Sequence, residues 1–168
     1  MPKSHDEYDI VCTHEVHGDT DFYRYDLFKK YKNGKSSPIG YIDFDLYKDC
    51  RGVSDLLPII KASACPHAIH EQVIKHGNPK YIFSVGLATL HDSIPKGKGY
   101  GEILYLSAFK DLSSRLDADI IFISDECALG TSSESAKFLW AKLTRIQGAT
   151  HPYAWYQKKP EDKTYPLY

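Results

Sequence analysis

Two lysines and three glycines alternate through Lys96-Gly97-Lys98-Gly99-Tyr100-Gly101, between an apolar run and a long amphipathic one. Glycine lets backbone come close to a ligand with no Cβ in the way. Where such a turn opens a helix, the first N–H groups have no intrahelical acceptor, and the positive end of the helix dipole reinforces them. That combination suits a phosphate or pyrophosphate, and Lys96 and Lys98 add positive charge beside the amides. A plain tight turn uses the same residue types. It gives no reason for lysines interleaved with glycines at the start of a helix.

Three other constellations are weaker. Gly34-Lys35-Ser36 ends like a phosphate-binding P-loop, but that motif needs a glycine where Lys29 stands, and it belongs between a strand and a helix. A dinucleotide fingerprint beginning at Gly97 requires a glycine where the chain has Glu102. His67 and His70 would share a helix face with Glu71 beside them, and His76 follows, yet zinc sites bring cysteine pairs or a third ligand at tight spacing. Surface histidines near a helix start explain them, and no metal is expected.

The elements that must hold the glycine turn are legible around it. Tyr81 to His91 (YIFSVGLATLH) reads as a strand leading into the turn. Residues 100–117 carry Tyr105, Phe109, Leu112 and Leu116 at helical spacing, widened by Leu104 and Ala108. The run Ile120 to Ile123 is too short for a helix and reads as a strand buried on both faces, as parallel neighbours are. Thr131 and Glu134 form a capping box ahead of a helix that buries Ala136, Leu139, Trp140 and Leu143. A last strand spans Ala149 to Gln157, and the polar tail from Lys158 is loosely held. Upstream, Asp9–His17 alternates like a half-buried strand. Phe22–Lys32 and Ile39–Tyr47 form a hairpin about Asn33-Gly34. Val53, Leu56, Leu57, Ile60 and Ala64 recur at helical spacing across Pro58, and a further helix runs from Pro66 to His76 and closes at Gly77. These readings give one α/β (α+β) domain over residues 1–168, a mixed, mostly antiparallel sheet with helices on both faces.

Bulk properties narrow the function. A chain of 168 residues suits a single core, and 42% hydrophobic with 26% charged residues is ordinary for a globular protein. Net charge of −1 gives no footprint for nucleic acid. No apolar run approaches a membrane span, and the N-terminus lacks a secretory apolar stretch, so the expectation is a cytoplasmic protein with no membrane partner. Cys12, Cys50, Cys65 and Cys127 are scattered and read as reduced thiols. A homodimer is left open.

Segment 81–145, somewhat over a third of the chain, resembles the core of the GNAT superfamily of N-acetyltransferases. The family signature (Gln/Arg)-x-x-Gly-x-(Gly/Ala) is matched by Lys96-Gly97-Lys98-Gly99-Tyr100-Gly101 with lysine in first place. The order strand, signature, long helix, buried strand, helix is also similar. A further family pattern, Asn-x-x-Ala-x-x-Leu-Tyr-x-Lys, is met by Ser133 through Lys142, with Ala136, Leu139 and Lys142 in register.

The resemblance implies an acyl-CoA N-acyltransferase-like fold and acetyl-coenzyme A as cosubstrate. Backbone N–H groups from Gly97 to Gly101 would hold the pyrophosphate, with Lys96 and Lys98 beside them and Ser133 at the family's asparagine position. Leu90, His91 and Asp92 would pair with the pantetheine amides like an added strand. The acetyl group would lie where the strands 81–91 and 119–124 splay apart, and an amine-bearing acceptor (a lysine side chain, a protein N-terminus, a polyamine or an antibiotic) would attack it. Candidates for the base are His91 and Asp92 at the end of one strand, and Asp125 and Glu126 at the end of the other. Trp140 stands where many members place a tyrosine that protonates the leaving thiolate, a job tryptophan cannot do. Tyr153 or Tyr156 would replace it. Thr144-Arg145 replaces a common glycine-phenylalanine pair, and the helices that usually follow the first strand come only after the hairpin. The rival readings are a non-catalytic coenzyme A-binding or interaction module on the same scaffold, and an unrelated α/β nucleotide-binding protein.

Overall fold

The computed structural model describes residues 8–18, 20–50, 66–95, 97–124 and 134–161. The helical segment 53–64, and Thr131 of the capping box, lie outside them. Strands β1 (Tyr8–His17), β2 (Thr20–Lys30) and β3 (Ser36–Asp49) form an antiparallel meander. Along β2, Tyr23, Tyr25 and Leu27 are buried while their neighbours are partly exposed, the alternation that a pleated strand imposes. Helix α1 (Pro66–His76) begins on a proline, whose missing N–H is no loss at that position, and closes with the Gly77 N–H on the Val73 carbonyl at 2.8 Å. Then come β4 (Tyr81–Leu90), α2 (Tyr100–Leu116), β5 (Ile120–Ile123), α3 (Glu134–Gln147) and β6 (Ala154–Gln157).

The strands make one six-stranded sheet in the order β1-β2-β3-β4-β5-β6. Every pairing is antiparallel except β4 with β5. Helices cover both faces. On one, α2 sets Leu104, Tyr105, Ala108, Phe109 and Leu112 against Tyr25, Phe44, Phe83 and Phe122, and α3 adds Trp140 and Leu143. Phe109 stacks on Phe122 with ring centroids 4.3 Å apart, and Phe122 meets Phe44 at 5.0 Å. On the other face, Ala68 and Ile69 of α1 pack with Ile82, Ile121, Ile123, Ala154 and Tyr156. β5 supplies both cores, which is why all four of its side chains are buried.

The last strand is shorter than its sequence suggests. The backbone N–H groups of Thr150 and His151 are taken at 2.7 and 2.8 Å by the carboxylate of Glu71 on α1. Tyr153 adopts φ +78°. Ladder pairing with β5 therefore begins only at Ala154.

Candidate functional site

β4 and β5 run side by side only from Tyr81 to Ser84, opposite Ile120 to Ile123. β4 continues to Leu90 against β3 alone among the described residues. Its course changes there: Phe44 faces Val85 and Ile42 faces Ala88, so Gly86 and Leu87 together oppose Asp43. This bulge bends the strand. The Asp43 carboxylate accepts the Leu87 N–H at 2.8 Å and so stands in for a backbone acceptor. A Cβ at Gly86 would overlap that same Asp43 oxygen. Burial pushes the Asp43 carboxyl up, against the opposing pull of the Leu87 N–H. Further along, β3 and β4 approach so closely at Gly40 that a Cβ there would overlap the Thr89 carbonyl oxygen.

The freed end of β4 forms one wall of a cleft of about 970 Å³. Ala88, Thr89, Leu90, His91 and Asp92 supply that wall. The floor is the glycine turn and the start of α2: Gly97, Gly99, Gly101, Glu102, Leu104 and Tyr105. The opposite wall is α3, through Ala136, Phe138, Leu139 and Lys142. The volume falls at the upper end of the roughly 300–1,000 Å³ typical of small-molecule clefts.

Gly97 and Gly99 have φ of +79° and +86°, a region that side chains with a Cβ rarely adopt. Gly99 is the N-cap of α2, with no side chain capping it, and the first intrahelical bond is the Ile103 N–H on the Gly99 carbonyl at 3.1 Å. The N–H groups before Ile103 therefore have no helical acceptor and sit at the positive end of the helix dipole, and Gly99, Gly101 and Glu102 of this turn line the cleft. Glu102 brings a negative charge to the same turn, and Lys142 of α3 neutralises it with an ion pair at 2.8 Å. This arrangement can hold a polyanion on amides and an extended amide-bearing chain along β4.

The structure brings Leu90, His91, Asp92, Gly97, Gly99 and Gly101 to this one cleft. Tyr100 sets its ring edge to face on Tyr8 at 6.2 Å, packed against the main core, and does not line the cleft. Lys98 is exposed and its side chain does not line the cleft. Lys96, Asp125, Glu126 and Ser133 lie outside the described residues. His91 sits beside the glycine turn, its carbonyl accepting the Ile94 N–H at 2.9 Å. Seven residue steps, about 23 Å at 3.3 Å each, separate it from Ser84, where β4 and β5 part. His91 thus belongs with the glycine-turn end of the cleft.

Tyr156 is not brought to the cleft. It is buried on the α1 face, its hydroxyl 3.2 Å from Asp119, at the start of β5 and so at the opposite end of the strand from the divergence. Burial and the neighbouring Asp119 both push its hydroxyl pKa up. Tyr153 lies at the end of β5 where the strands part, its carbonyl accepting the Ser124 N–H at 3.0 Å. Trp140 is 1% exposed, edge to face with Tyr105, and belongs to the core.

The sequence reading missed Thr89, Glu102, Tyr105, Phe138 and Lys142 as cleft residues. Tyr105 reads as core from its spacing and is indeed 5% exposed, but it also borders the cleft. Phe138 gave the one available signal, an aromatic outside the apolar stripe of α3, and it is 74% exposed at the rim. Among the described residues no group of three His, Cys, Asp or Glu side chains is placed to hold a metal, and no helix is long and apolar enough to cross a membrane. Comparison of the chain with protein-family models, curated proteins and solved structures returned no match.

Proposed function

We propose that the chain is an acetyl-coenzyme A-dependent N-acetyltransferase with an acyl-CoA N-acyltransferase-like fold, and that the cleft between β4, the glycine turn and α3 is its cosubstrate site. One observation carries this reading. A strand end released from its parallel neighbour and a helix start with uncapped amides line the same cleft. Strand-like pairing suits pantetheine amides, and free helix-start N–H groups suit a pyrophosphate. The Lys142–Glu102 pair supports the fit, because an unneutralised carboxylate in the first turn would repel that anion.

In this reading the amides of Gly97, Gly99 and Gly101 bind the pyrophosphate, and Ala88 to Leu90 align the pantetheine. The acetyl carbonyl then lies toward the point where β4 leaves β5. There an acceptor amine attacks: the new C–N bond forms, the C–S bond breaks, and the amine proton passes to a base. Asp125, which follows β5 in the chain, is the carboxylate assigned to that role. Tyr153 takes precedence over Tyr156 as proton donor to the leaving thiolate.

Titration calorimetry with acetyl-coenzyme A, and thiol release on adding lysine or polyamine acceptors, test the proposal. Binding with turnover is expected. Binding without turnover favours the non-catalytic module, for which the core position of Trp140 is the specific argument. Stabilisation by ATP but not by coenzyme A removes the transferase reading altogether.

A further inference from the structure

The sheet has two edges of opposite character. β6 contributes only Ala154–Gln157 and is followed by Lys158-Lys159-Pro160, so it is short and guarded by residues that discourage edge pairing. β1 has none of these safeguards. It runs unbroken from Tyr8 to His17 in a single register with β2, without lysine, proline or bulge, and no described strand lies beyond it. Val11 and Val16 are 46% and 63% exposed on it.

The hairpin decides which backbone groups face outward. Only two residues separate His17 from its partner Thr20, so that closing pair exchanges hydrogen bonds. By alternation, Glu15, Thr13, Val11 and Asp9 also direct N–H and C=O at β2. Ile10, Cys12, His14 and Val16 direct theirs away from the sheet.

We propose that a second copy of this chain lays its own β1 antiparallel against this edge, about a two-fold axis through Thr13, making one continuous sheet across a homodimer. Two-fold pairing must match the outward-facing set with itself, and two registers do so over most of the strand. Centring on Cys12 sets Asp9 against the partner's Glu15, and the symmetry repeats this like-charge clash. Centring on Thr13 sets Asp9 against the partner's His17 and Ile10 against the partner's Val16. Opposite polarity and apolar contact are then both satisfied, each of them twice. The exposed Val16 side chain also comes to lie beside Ile10, which already packs on the main core. Four hydrogen-bonded pairs at two bonds each give about eight new backbone bonds. This inference rests on the edge alone and stands or falls apart from the coenzyme A reading.

Disulfide trapping tests the register. In the Thr13-centred dimer, position 13 faces itself in a non-hydrogen-bonded pair, with Cα atoms about 4.5 Å apart, inside the roughly 4.4–6.8 Å that a disulfide spans. Thr13→Cys is expected to cross-link under mild oxidant through the introduced thiols, as read by non-reducing electrophoresis and peptide mass mapping. Val11→Cys is expected not to cross-link to itself, and the double variant Val11→Cys/Glu15→Cys is expected to do so. Cross-linking of the unaltered chain through Cys12 would overturn the register. A monomer by native mass spectrometry at micromolar concentration would overturn the dimer. Val16→Lys keeps the β1–β2 ladder and is expected to weaken association about tenfold or more. An unchanged dimer in that variant also counts against the proposal.

Discussion

Gly40→Ala isolates the close approach that shapes the cleft wall. An added Cβ would overlap the Thr89 carbonyl oxygen and come within 3.0 Å of the Leu90 Cα, where ordinary contacts start at 3.4 Å. Both obstacles are backbone and cannot rotate away, so β3 and β4 must separate locally. Overpacking of this kind costs about 1–3 kcal/mol. The adjoining His91 N–H to Ile39 carbonyl bond, 2.9 Å long, is strained with it, adding about 1 kcal/mol. A loss of about 2–4 kcal/mol follows, or roughly 5–15 °C in Tm. Gly86→Ala makes the contrast. Its Cβ meets the Asp43 carboxylate, the free end of a side chain, so the expected loss is the Leu87 hydrogen bond at about 1–2 kcal/mol. In an Asp43→Ala background the same Gly86→Ala change should cost less, because the obstacle has gone. Urea denaturation of the four variants measures this, with coenzyme A titration alongside, since Thr89 and Leu90 line the cleft. A Gly40→Ala loss below about 0.5 kcal/mol, typical of a neutral surface change, would refute the close approach.

Three further outcomes are expected. Gly99→Ala should lower stability by only about 1–2 kcal/mol, the strain of a left-handed residue, because its Cβ meets nothing within 4 Å; coenzyme A affinity should fall about tenfold or more by calorimetry. Tyr156→Phe should leave acetyl transfer unchanged and lower Tm slightly, about 1 kcal/mol for the lost bond to Asp119. For Glu71, burial would raise the pKa, but hydrogen bonds from the His151 and Thr150 amides outweigh it and hold the carboxyl at about 2, below its ordinary 4.5. The folded value is depressed, so the stabilisation is fully present above pH 4.5 and is lost as pH falls from there toward 2; Glu71→Ala should flatten that part of the stability curve in acid titrations followed by circular dichroism.

The fold was legible where one residue pattern determined one element. The IIFI run, too short for a helix, read as a doubly covered strand, and the stripe Tyr105-Phe109-Leu112 marked the core-facing side of a helix. The start of β6 was hidden, because it depends on Glu71 reaching from another helix to the Thr150 and His151 amides, a contact separated by about 80 residues. The cleft divides the same way. Its floor was readable in the glycines, whose role is local backbone conformation. Of its walls, the β4 end at Leu90 to Asp92 was readable too, but the α3 wall was not, since Phe138 and Lys142 face the cleft only because α3 lies against Gly101, where a Cβ would sit 3.5 Å from Leu139. Tyr156 shows the limit most directly. Its place on the last strand made it, with Tyr153, a candidate for the missing proton donor, but the antiparallel register of β6 on β5 carries its hydroxyl toward Asp119, away from where the strands part. Residue type proposes a role, and the direction of a strand decides whether the residue reaches it. By that criterion the proton donor of the proposed transfer is sought at the Tyr153 end of β6, where the Ser124 amide already holds the backbone in place.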